Sequence, residues 1–92
     1  MRATRNGLCY DVTINGTTIN LQPRLYLYLH KLYNVNHSEG WLDKNSLDTG
    51  TNQVKYIYKL KQALNNIPGI IIESDGNGRY RLLKGDNKAF EN

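Results

Sequence analysis

A chain of 92 residues supplies one small domain, and 39% hydrophobic residues with a mean hydropathy of −0.62 give it enough apolar surface for a single core. Its aromatic residues, nearly all tyrosine, argue against disorder, while one cysteine excludes an internal disulfide and two histidines fall short of a structural zinc set. The net charge of +4 is concentrated: residues 52–84 hold six cations against Glu73 and Asp75, whereas residues 1–51 hold five cations against four anions.

Met1-Arg2-Ala3-Thr4-Arg5-Asn6 leads into no signal-peptide stretch, and no apolar run reaches the about 18 residues of a membrane span. The expected location is cytoplasmic, and residues 1–7 are expected to form a flexible N-terminus. The folded domain is expected over 8–84. Val12 and Ile14 alternate before Asn15-Gly16, and Ile19 and Leu21 alternate after it, which predicts an N-terminal β-hairpin closed by a type I′ turn. Cys9 falls in its first strand as a small apolar residue.

Pro23 suits the first turn of a helix, and Leu25, Tyr28, Leu29, Leu32 and Tyr33 recur at helical spacing, so a first helix is expected over about 22–34. Asn34 to Gly40 is polar and turn-rich. Trp41 is expected as a core anchor ahead of a short second helix around 43–47. Asp48-Thr49-Gly50-Thr51-Asn52 then breaks the chain before a long third helix, which Asn65-Asn66 and Pro68-Gly69 end. Its spacing puts Val54, Ile57, Leu60 and Leu64 on one face and Lys55, Lys59 and Gln62 near the opposite pole, with Tyr58 expected in the core. Ile70-Ile71-Ile72-Glu73 and Arg79-Tyr80-Arg81-Leu82-Leu83 make a second hairpin, in which Tyr80 and Leu82 share one face and Arg79 and Arg81 the other. Residues 85–92 are expected to be a flexible tail.

The predicted class is α+β: an N-terminal β-hairpin, three helices and a C-terminal β-hairpin wing. With Ile57, Leu60, Lys61 and Leu64 in the third helix and Gly76-Asn77-Gly78-Arg79-Tyr80-Arg81-Leu82 in the last hairpin, residues 10–83 resemble the output domain of OmpR/PhoB-type response regulators. That family's patterns at these places are Ile-x-x-Leu-Arg-x-x-Leu and a Gly-x-Gly-Tyr-Arg-Leu type ending. The resemblance implies a winged helix-turn-helix that binds DNA and regulates transcription. Three departures accompany it: Gln53 stands where the family has an apolar residue, Val54 where it has an acid, and Lys61 where it has Arg. A receiver domain normally precedes such an output domain, so the chain is expected to be either a stand-alone domain or an excised piece.

Under this reading the third helix lies in the major groove, where Asn52 and Gln53 suit adenine and Lys55 and Lys59 suit phosphate or guanine, with Tyr56 as a further contact. The wing lies at the minor groove with Arg79 reaching in. The bland alternatives are a solvated helix face for the lysines and an edge charge against association for Arg79. Double-stranded DNA is the expected partner, joined by a second copy of the chain, another regulator or RNA polymerase, because one such domain offers a small interface. The rival function is a winged-helix protein-interaction module without sequence-specific DNA binding, and single-stranded RNA binding ranks last for want of an aromatic sheet pattern. Gly76-Asn77-Gly78 opens no helix and carries no Gly-Lys-Ser/Thr, so it is a turn and not a phosphate loop. No nucleophile stands with His30 or His37 in a catalytic pattern, so no enzyme, cofactor or metal is expected.

Overall fold

The computed structural model describes residues 1–35, 40–48 and 50–84. His37, Thr49 and the expected tail 85–92 lie outside the described residues. Asn15 and Gly16 adopt positive φ, 53° and 82°, as a type I′ turn demands, and they close strands β2 (Cys9–Ile14) and β3 (Thr17–Leu21). Val12 and Ile14 are buried and Leu21 joins them, so the predicted alternation sets the inner face.

The chain before this hairpin is not left outside the fold. Arg2–Asn6 forms a further strand, β1, antiparallel to β2 with Arg5 opposite Tyr10 and Ala3 opposite Val12. The expected hairpin is therefore a three-stranded sheet in the order β1-β2-β3. All five β1 residues are exposed, which is why no hydrophobic alternation announced the strand.

Helix α1 (Pro23–Tyr33) starts with proline at its first turn, where a missing N–H costs nothing, and buries Leu25, Tyr28, Leu29 and Leu32. Each such side chain is worth about 1.5–3 kcal/mol on full burial. A two-residue strand β4 (Leu42–Asp43) leads into helix α2 (Lys44–Leu47), whose first turn is capped by Asp43 accepting from the Asn45 N–H at 2.8 Å. Helix α3 (Gln53–Leu64) follows, then strands β5 (Ile70–Ser74) and β6 (Arg79–Lys84). The second sheet runs β4-β6-β5, so the expected C-terminal hairpin gains β4 as a third strand.

One buried cluster joins Val12 and Ile14 of the first sheet, Leu29 and Leu32 of α1, Leu47, Leu60 of α3, and Ile72 and Leu82 of the second sheet. Among the described residues the fold is thus α+β, with three helices and two antiparallel three-stranded sheets sharing one core. Trp41 is not in that cluster: it is half-buried, with the Arg81 guanidinium 4.6 Å from its ring centre. No helix among the described residues is long and apolar enough to cross a membrane.

Candidate nucleic-acid interface

Helix α3 turns a stripe of Gln53, Ile57, Leu60 and Leu64 into the core. The expected stripe began at Val54, but Val54 is 58% exposed and Gln53 only 5%. A buried amide needs partners, and Gln53 has two: its Nε2 donates to Asn45 Oδ1 at 3.2 Å and to the Asp48 carbonyl at 3.0 Å. Gln53 is therefore a scaffold residue that pins the start of α3 to α2. The expectation that it reads bases is corrected.

Ile57, Leu60 and Leu64 face inward as expected, so the stripe differs only in its first member, but the two tyrosines are reversed. Tyr58 is 60% exposed, and its hydroxyl accepts from Gln62 Nε2 at 2.8 Å, one turn on. Tyr56, expected at the DNA, is half-buried with its ring edge-on to Tyr28 at 5.8 Å, and the Arg24 guanidinium lies 5.5 Å from its centre. The solvent side of α3 is made by Lys55, Tyr58, Lys59 and Gln62, all exposed. The helix contains no Asp or Glu. Asn52, at the N-cap, is exposed, and its side chain makes no capping hydrogen bond.

Asp48 ties this helix to the rest of the molecule. Its carboxylate accepts from Arg24 Nη1, from the Tyr28 hydroxyl at 3.1 Å and from the Gly50 N–H at 3.4 Å. Burial works to raise the Asp48 carboxyl, but the hydrogen bonds from Arg24, Tyr28 and Gly50 together outweigh it and hold the group below its ordinary value. Burial, reinforced by the hydrogen bond to Asp48, pushes the Tyr28 phenol up to about 12.

At the far end of the second sheet, Gly76 and Gly78 take positive φ, 80° and 90°, and turn the chain between β5 and β6. Asp75 organises this turn: it accepts from the Asn77 N–H at 2.7 Å, the Arg79 N–H at 3.1 Å and Arg79 Nε at 2.8 Å. The Asn77 N–H is the leading reason its carboxyl sits below the ordinary range, with the Arg79 contacts adding to it against a cost of burial. The Arg79 guanidinium is over half exposed, yet it is already paired with Asp75 inside the turn. The Gly78 carbonyl accepts from the Lys44 N–H at 2.8 Å, joining the turn to the start of α2. Arg81 pairs with Glu73, its neighbour across the sheet, at 2.6 Å.

Of the residues expected at DNA, the fold therefore leaves Asn52, Lys55 and Lys59 exposed at α3 and Arg79 exposed at the turn, while Gln53 and Tyr56 serve packing. Tyr58 and Gln62 are the additions. Their spacing of four residues was the available signal, but hydrophobic patterning assigned Tyr58 inward. Comparison of the chain with family models, curated proteins and solved structures gives no match.

Proposed function

We propose that this chain is a winged helix-turn-helix domain that binds double-stranded DNA as part of a transcription regulator, with α3 in the major groove and the β5-β6 turn against the neighbouring backbone or minor groove. The observation that carries the reading is the solvent side of α3, where Lys55 and Lys59 stand beside Tyr58 and Gln62 on a helix without a single carboxylate. Lys55 and Lys59 neutralise phosphates or meet guanine, Asn52 and Gln62 offer amides to base edges, and Tyr58 donates through its hydroxyl. Arg79 acts from the turn only after sharing or releasing Asp75, so its contribution is smaller than that of a free guanidinium.

A titration of duplex DNA at several salt concentrations tests this. Affinity should fall linearly on a double-logarithmic plot, and Lys55→Ala with Lys59→Ala should weaken binding and lower the slope by about one for each lysine that meets a phosphate. Absence of binding at low salt, or an unaltered slope in the folded double variant, would sink the proposal.

A further inference from the structure

The second sheet ends in an apolar strand with an unpaired outer edge. The Lys44 N–H donates to the Gly78 carbonyl at 2.8 Å and Leu42 stands opposite Tyr80, so Gly78, Tyr80 and, by alternation, Leu82 turn their backbone groups toward β4. The Asp75 N–H donates to the Arg79 carbonyl at 3.1 Å, which in the same way turns Arg79, Arg81 and Leu83 toward β5. Glu73 with Arg81 and Ile71 with Leu83 are then the hydrogen-bonded pairs of this ladder. Ile70, Ile72 and Ser74 consequently direct their N–H and C=O groups away from β6. Among the described residues β5 pairs with β6 alone.

This edge carries none of the usual guards. β5 reads Ile-Ile-Ile-Glu-Ser in an unbroken register, with no proline, lysine or bulge. Ile70 and Ile72 are buried on the inner face, whereas Ile71 is 58% exposed on the outer one. A cleft of about 200 Å³ between the end of α3 and β5 is lined by Lys61, Leu64, Asn65 and the three isoleucines. We infer that β5 pairs with β5 of a second copy of this chain, antiparallel across a two-fold axis at Ile71, joining two three-stranded sheets into one of six strands. A second copy is singled out because the edge complements itself. With Ile71 opposite its own image in a non-hydrogen-bonded pair, where side chains come closest, Ile70 and Ile72 exchange both backbone bonds with Ile72 and Ile70 of the copy. The same register sets Glu73 of each copy opposite Gly69 of the other, beside the cleft that Lys61 lines, so no like charges face each other. Nucleic acid is disfavoured because a phosphodiester offers acceptors only and leaves the outward carbonyls of Ile70 and Ile72 unpaired. Antiparallel pairing sends the two β5-β6 turns in opposite directions, so this dimer is not one assembled by both turns on a single duplex, and the inference stands apart from the DNA reading.

An edge of 5 residues buries less than the roughly 1,000 Å² of a stable interface, so the dimer should be weak and dependent on concentration. Sedimentation equilibrium of the full chain without DNA should show monomer passing into dimer between about 10 µM and about 1 mM. Over the same range the Ile70 and Ile72 amides should gain protection from hydrogen exchange, while those of Ile71 and Glu73, bonded to β6, stay protected throughout. Ile71→Lys sets two cations face to face at an exposed position, so it should keep the native circular dichroism spectrum and weaken the dimer by at least about tenfold. Lys61→Glu, which brings a second carboxylate toward Glu73 of the copy, should weaken it severalfold, and less so in high salt. A chain that stays monomeric at about 1 mM overturns the inference. So does self-association that survives Ile71→Lys, or that leaves the Ile70 and Ile72 amides exchanging as they do in the monomer.

Discussion

Gln53 shows how a polar side chain can take an inward position on a helix. As a polar residue it reads as solvent-facing, but Asn45 and the Asp48 carbonyl take up its amide and make burial tolerable. Gln53→Ala should cost about 1–3 kcal/mol in chemical denaturation, because the Asp48 carbonyl loses its buried donor. Tyr28 offers a second measurement. Its phenol, ordinarily ionising near 10, is held neutral up to about 12 in the folded protein, so its contribution to stability is complete below the unfolded value and lost as pH rises through the folded one. Unfolding free energy should therefore drop between about pH 10 and 12, and Tyr28→Phe should flatten that drop. A pH series of urea melts on both proteins reads the difference.

Elements were legible wherever burial left a pattern. The Asn15-Gly16 hairpin, the proline-led α1 and the Ile57-Leu60-Leu64 stripe all follow from spacing, since each packs an apolar face on the shared core. β1 was hidden because an edge strand exposed on every residue requires no apolar period, although Gly7-Leu8 was a turn signal within reach. β4 was hidden because two residues make no period at all. In α3 the period and the phase set by Ile57, Leu60 and Leu64 both match, and only the first inward position differs, Gln53 in place of Val54, with Tyr56 turned inward and Tyr58 outward. The phase can be measured: Val54→Lys should change stability by less than about 0.5 kcal/mol, whereas Leu60→Ala should cost about 2–5 kcal/mol. A large penalty for Val54→Lys in thermal melts would return that side chain to the core.

At the scale of the molecule, the two sheets share no ladder among the described residues, and side chains of both pack with those of the helices in one cluster. Because that packing is continuous, neither sheet should melt independently of the other. Far-UV circular dichroism, reporting strands and helices, and Tyr and Trp fluorescence, reporting packing, should give coincident urea transitions. Two separated transitions would show that the core divides between the sheets.

The tip of the first hairpin is also fastened across the chain. Asn15 Nδ2 donates to the Pro68 carbonyl at 2.9 Å, in the connection that follows α3. On a ribosome the two partners are made far apart in time: the hairpin leaves the exit tunnel with its latch missing and keeps an open tip until the residues after α3 emerge. The hairpin is therefore synthesised before its latch, and a stalled nascent chain that exposes α3 but retains Pro68 should leave the tip amides of β2 and β3 exchanging freely with solvent.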